Sequence, residues 1–183
     1  LQTMYQKATI GRPGPTWLDI PIDIQGQEVG GIAHESQEII SNSNDILINQ
    51  KADPRIPEIL KKLQTARRPI ILAGTGIRIS NTIQELHRIA EVLQLPVCTA
   101  WTHDIFDNEH HLYAGRPGTI GTRAGNFVVQ SADLVLVLGS RLNVRQISYN
   151  FNSFASSAQK IWVDIDPAEL DKPFPNVDMR IQA

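Results

Sequence analysis

With 183 residues, the chain has room for one full domain and part of another unit, and it is long enough to bury a core without staples. Its 42% hydrophobic and 20% charged residues are ordinary for a globular protein, and a formal net charge of −2 gives no general attraction to nucleic acid or anionic membrane. A single cysteine, Cys98, excludes a disulfide framework and a Cys-rich zinc site; no apolar run approaches a membrane span, and the cytoplasm is the expected setting.

The chain opens at Leu1 and is expected to be a piece of a longer protein. Leu1, Met4 and Ala8 have helical spacing, and Gly11-Arg12-Pro13-Gly14-Pro15 breaks any helix because both prolines lack a donor N–H. Thr16-Trp17-Leu18-Asp19-Ile20-Pro21 reads as a brief strand stopped by proline. Residues 25–50 are polar and turn-rich and read as a long connection. Asp53-Pro54 predicts a helix start, with Asp53 as N-cap and an apolar stripe at Ile56, Ile59, Leu60 and Leu63.

Arg67-Arg68-Pro69 ends that helix and launches Ile70-Ile71-Leu72-Ala73, an apolar run that passes straight into Gly74-Thr75-Gly76. Such a run suits a strand buried on both faces, as in a parallel sheet covered by helices. Thr82 and Glu85 have capping-box spacing ahead of an apolar face at Ile83, Leu86, Ala90 and Leu93, and Pro96 to Ala100 is a second strand. Residues 101–121 read as irregular. A helix over 122–131 should turn Ala124, Phe127 and Val128 inward. Leu134 to Leu138 is a third strand ending in Gly139-Ser140-Arg141. Lys160 to Pro167 holds a fourth, and Met179-Arg180-Ile181 begins a fifth. The alternation of helix and strand implies parallel βαβ units, an α/β fold with a parallel sheet flanked by helices.

In open α/β sheets, ligands settle outside the carboxyl ends of the strands. Gly74 and Gly76 form half of a dinucleotide fingerprint, but Ile79 stands where the third glycine belongs. The strand ending at Ala100 lacks the acidic residue that would bind a ribose, which disfavours a nicotinamide dehydrogenase. The same glycines equally suit a tight turn that holds no ligand. Arg141 and Arg145 offer guanidinium groups for a diphosphate or a flat ring, or else solvated charge. Asp164 suits ribose hydroxyls or a turn cap. His103, His110 and His111 match no metal-ligand spacing and read as loop residues that diverge from one another.

Four stretches, Gly11 to Pro21, Arg68 to Gly76, Ala132 to Arg141 and Val163 to Pro167, together resemble thiamine-diphosphate-dependent enzymes of the acetolactate synthase type. The resemblance implies residues 1–26 as the end of a pyrimidine-binding domain, 27–50 as linker, and 51–183 as a Rossmann-like central domain, a DHS-like NAD/FAD-binding fold with a six-stranded parallel sheet. It implies flavin or nucleotide contacts at Gly74, Thr75, Gly76, Ala100, Trp101, Gly115, Gly139, Ser140, Arg141, Arg145, Asp164 and Ile165. The parent would use thiamine diphosphate and Mg2+ on 2-oxo acids as a carboligase or decarboxylase. Its catalytic glutamate and Gly-Asp-Gly…Asn metal motif lie in the missing pyrimidine and pyrophosphate domains, so this piece alone is not expected to be catalytic. The partners implied are those domains and further copies in a dimer or tetramer, with no nucleic acid and no membrane. Arg116-Pro117 and the bend Trp101-Thr102-His103-Asp104 depart from the flavin-binding synthases, which favours ADP or an empty crevice over FAD. The alternative is a non-catalytic scaffold domain. A zinc-dependent deacylase on the related fold fails for want of cysteines.

Overall fold

The structure, a computed structural model of the chain, describes residues 1–28, 30, 52–102 and 104–183. Most of the linker expected over 27–50, and His103, lie outside the described residues. The chain divides into two units, Leu1–Ala52 and Asp53–Ala183.

In the first unit, the helical spacing of Leu1, Met4 and Ala8 gives α1 (Gln2–Thr9), whose last turn Thr9 closes by donating its hydroxyl to the Tyr5 carbonyl at 2.9 Å. Gly11 takes a left-handed φ of +72°, which turns the chain out of the helix. The strand expected over Thr16–Pro21 is not formed: residues 16–20 lie in no sheet, and the Ile20 carbonyl accepts from the Gln25 side-chain amide at 2.7 Å in place of a neighbouring strand. Pro21 instead precedes a single turn, α2 (Ile22–Gln25).

The second unit is a six-stranded, wholly parallel sheet. In chain order it contains α3 (Ile56–Thr65), β1 (Pro69–Ala73), α4 (Gly76–Ile79), α5 (Ile83–Leu93), β2 (Val97–Thr99), β3 (Tyr113–Gly115), α6 (Arg123–Ser131) and β4 (Leu134–Leu138). Then come α7 (Val144–Ile147), β5 (Gln159–Asp164), α8 (Pro167–Leu170) and β6 (Met179–Gln182). The spatial order is β3-β2-β1-β4-β5-β6. The chain winds outward from β1 on one side, then crosses to β4 and winds outward on the other. That reversal between β1 and β4 is the topological switch point of a doubly wound fold.

Alternation along β1 divides the core in two. Ile71 and Ala73 pack with Leu63, Leu86 and Ala90 beneath α3 and α5, while Ile70 and Leu72 face Val129, Val137 and Trp162 on the α6 side. Cys98 is fully buried in the second layer, and desolvation pushes its thiol up to about 12, so it behaves as a small hydrophobe.

Several local expectations are corrected. α3 starts at Ile56, because Asp53 spends its carboxylate on the Arg55 backbone N–H (2.8 Å) and guanidinium, closing a turn ahead of the helix. Thr82 precedes α5 without capping it and donates its hydroxyl to the Ile77 carbonyl instead. The stretch read as irregular contains β3, a three-residue edge strand joined to β2 across a register shift. α6 is rotated from its expected face: Gly125 and Val129 are buried, Ala124 is exposed and Phe127 is 71% exposed. His110 and His111 do not diverge but stack, with ring centroids 4.6 Å apart, and His110 also packs edge-on against Phe106.

Candidate functional site at the switch point

The turns after β1 and β4 meet backbone to backbone. The Gly74 N–H donates to the Leu138 carbonyl and the Gly76 N–H to the Gly139 carbonyl, each at 2.9 Å. A Cβ on Gly74 would stand 2.4 Å from the Gly139 oxygen, and one on Gly76 would stand 2.6 Å from the Gly139 Cα. Gly139 itself has φ +58°. These three glycines are therefore required by the approach of one turn to the other. The Gly139 N–H is engaged as well, by the Val163 carbonyl at 2.9 Å, so all three glycine amides are used within the sheet edge. The two turns leave no space between these glycines even for a methyl group.

Side chains from deeper in the sheet fix the second turn. The wholly buried Trp162 of β5 donates its indole N–H to the Ser140 carbonyl at 2.8 Å, and the Ser140 hydroxyl donates to Gln146 Oε1 at 3.1 Å. Asn143 accepts the Arg145 N–H and starts α7, so Arg141 and Arg145 emerge on either side of one short, pinned loop. Both are exposed, and among the described residues neither guanidinium has a hydrogen bond or ion pair.

On the other side of the switch point, the loop after β3 is held by side chains. Thr122 Oγ1 accepts from the Arg116 N–H (3.2 Å) and the Gly125 N–H (3.0 Å). Gly115, at φ +98°, leaves the space that this hydroxyl occupies: a Cβ there would lie 2.2 Å from it. Asn126 accepts the Gly118 N–H at 2.9 Å and donates to the Gly118 carbonyl at 3.2 Å, and the Thr119 N–H reaches the Arg145 carbonyl at 2.9 Å. Between this loop, α6 and α7 lies a cleft of about 220 Å³ bordered by Gly118, Asn126, Arg145 and Gln146.

The remaining expected contacts are spread along the same edge. Ala100 and the 43% exposed Trp101 follow β2, while Asp164 and Ile165 close β5. Asp164 is buried and accepts the Asp166 N–H at 3.0 Å, which is the turn-capping role. The twelve residues thus stand at the carboxyl ends of β1, β2, β3, β4 and β5, with Arg145 in α7 just beyond β4. Sequence reading missed Trp162, Gln146, Thr122 and Asn126. Only the Thr122 N-cap had a signal, three residues ahead of the Gly125 amide it accepts.

Buried polar atoms usually find a partner. Among the described residues, Thr102 Oγ1, after β2, and Gln146 Nε2, after β4, are buried without one. Their position at the carboxyl edge, together with the two guanidiniums, fits a polar ligand with an anionic group. Among the described residues no group of three or more His, Cys, Asp or Glu is arranged to hold a metal ion, and no helix is long and apolar enough to cross a membrane.

A wholly parallel sheet in this order, with glycine turns meeting at its reversal, defines a Rossmann-like domain built to present a crevice at one edge. Residues 56–183 match the family model for the central domain of thiamine pyrophosphate enzymes, and the chain belongs to that family. It is 36% identical over 184 residues to the probable acetolactate synthase large subunit of Methanococcus aeolicus, covering 98% of this chain and 30% of that protein. It is 32% identical over 169 residues to the acetolactate synthase isozyme 1 large subunit of Escherichia coli K12 (92% and 29%). To the acetolactate synthase large subunit of Corynebacterium glutamicum it is 30% identical over 173 residues (94% and 27%). The chain thus spans less than a third of the length of these relatives.

Proposed function

We propose that the chain is the central domain of a thiamine-diphosphate- and magnesium-dependent carboligase or decarboxylase acting on 2-oxo acids, with the end of its pyrimidine-binding domain attached. The observation that supports this reading is the match of residues 56–183 to the central domain of thiamine pyrophosphate enzymes, on a sheet whose turns after β1 and β4 meet at the switch point. In the parent, thiamine diphosphate would supply the carbanion chemistry from the pyrimidine and pyrophosphate domains, in a homodimer or homotetramer. This chain's own residues would hold an adenine nucleotide or flavin at the carboxyl edge, or keep the crevice empty as a structural support.

For a bound nucleotide, the diphosphate lies over the Gly74-Thr75-Gly76 and Gly139-Ser140-Arg141 turns and draws its countercharge from Arg141 and Arg145. Ala100 and Trp101 border one side, Gly115 another, and Asp164 with Ile165 the ribose end. ADP is favoured over FAD, because the Arg116-Pro117 segment stands where the flavin-binding members have a different one. Calorimetric titration of ADP and FAD into wild type, Arg141→Ala and Arg145→Ala tests the site. Loss of one charged contact should weaken ADP by roughly tenfold to a hundredfold, about 1.5–3 kcal/mol. Affinity unchanged in both variants would remove the arginines, and tighter FAD than ADP would reverse the preference. The purified chain should turn over no 2-oxo acid in the presence of thiamine diphosphate and Mg2+; measurable turnover would sink the division of labour between domains.

A further inference from the structure

At the opposite edge of the sheet, the second residue of β5 is a lysine in the core. Lys160 is only 5% exposed, whereas lysines are almost never buried unless paired. Its ammonium donates to the Ala158 carbonyl at 2.9 Å, a neutral acceptor that meets one of its three N–H groups. Asp178, at the start of β6, is the adjacent carboxylate, but it accepts the Lys160 backbone N–H at 2.8 Å and, among the described residues, forms no ion pair with the ammonium. Asp178 returns its own N–H to the Lys160 carbonyl at 3.0 Å, so this pair fixes the backbone, and Asp178 acts on the ammonium only through space, without a contact ion pair among the described residues.

A cavity of about 440 Å³ adjoins Lys160, within the range of small-molecule sites. Phe151 gives it an apolar wall, Asn152, Ser156 and Asn176 bring amide and hydroxyl donors, and Asp178 borders it with the one carboxylate of its lining. It lies at the amino ends of β5 and β6, a full strand length from the edge that carries Gly139 and Asp164.

We propose that this cavity binds a small monoanionic carboxylate, with Lys160 as its countercharge and the amides of Asn152 and Asn176 as further donors. A carboxylate is planar and accepts several hydrogen bonds through two oxygens, which matches an ammonium with two N–H groups still to satisfy beside neutral donors. A phosphate dianion would carry a second charge toward Asp178, which opposes it. Burial lowers the Lys160 pKa, with Asp178 working in the other direction, and a bound anion would restore the charged form.

The test is amide NMR of the full 183-residue chain titrated with sodium benzoate and sodium acetate, with phosphate and chloride at matched ionic strength. One or both carboxylates should produce saturable shifts within residues 151–160 and 176–178. Lys160→Met, which keeps the length and removes the charge, should weaken binding at least tenfold. Asn176→Asp, an exposed change that adds a negative charge at the rim, should weaken it severalfold and covers the case in which the core variant does not fold. Absence of saturable shifts with both carboxylates would overturn the proposal, as would affinity unchanged in either folded variant or phosphate binding more tightly than the carboxylates.

Discussion

The two sides of the switch point are held in opposite ways. Between β1 and β4 the walls stand together because side chains are missing: Gly74, Gly76 and Gly139 let two turns share hydrogen bonds at van der Waals contact. Along the loop after β3 the wall stands because side chains are present: Thr122 and Asn126 replace the sheet as partners for the Arg116, Gly118 and Gly125 backbone. The first device tolerates no added atom, since backbone cannot yield locally. The second loses one hydrogen bond at a time.

The largest effect is therefore expected at the glycines. Gly74→Val places a Cβ 2.4 Å from the Gly139 oxygen and 2.5 Å from the Ser140 Cα, so β1 and β4 must separate at their ends. A cost of about 3–4 kcal/mol, at the upper end of overpacking effects, should appear as a lowered urea midpoint. Gly139→Ala adds a contact of 2.7 Å with the Gly76 Cα at a left-handed φ and should cost about 2–3 kcal/mol. A midpoint within error of wild type for both variants would show that the turns give way easily, and the contrast between the walls would fail.

Thr122→Ala should cost less, about 1–2 kcal/mol, because an N-cap acceptor is lost while the helix persists. The effect should be local. Hydrogen exchange at the Arg116 and Gly125 amides should speed up, while the β1 and β4 amides keep their protection. Thr122→Ser keeps the hydroxyl and should recover most of the loss. If exchange accelerates equally in β1, the two walls are one cooperative unit and the comparison is wrong.

The same contrast explains what the sequence reveals. Strands buried on both faces show as unbroken apolar runs, so β1 and β4 are legible almost to the residue, and their glycine ends point to the crevice. β3 is not legible, because Tyr113-Ala114-Gly115 is too short to show a period and its partner is reached through a register shift. The face of α6 was misjudged for a related reason. Apolar periodicity points to Phe127, yet the helix packs through Gly125, where a Cβ would lie 2.5 Å from Arg116 backbone atoms. A glycine used for close approach has no hydrophobic signature. Nor does Trp162 announce itself: an indole in a core strand looks like packing until its N–H is found on the Ser140 carbonyl.

The smallest effect tests whether a third device, a charged acceptor, holds the amino edge of the same two strands. Asp133, just before β4, accepts the Arg67 and Arg68 backbone N–H groups at 2.8 Å each, ahead of β1. Burial acts to raise its pKa, but the two amide bonds and the Arg68 charge outweigh it, and the carboxyl sits below its ordinary value. A depressed carboxylate pKa means that the unfolded chain binds the proton more readily. The stabilisation is thus complete above the unfolded value near 3.8 and is lost as pH falls through the folded one. Asp53, held down to about 2 by Arg55, titrates in the same acid window, so wild type alone cannot isolate Asp133. The difference between wild type and Asp133→Asn can. At pH 7 the variant should be less stable by about 1 kcal/mol, since Asp133 gives each N–H its own charged oxygen, whereas asparagine offers one neutral oxygen and turns an NH2 donor toward the other. That gap should close as the pH is lowered from 5 toward 2, in urea titrations at each pH. A gap independent of pH would mean that the loss comes from the missing second acceptor and not from the charge.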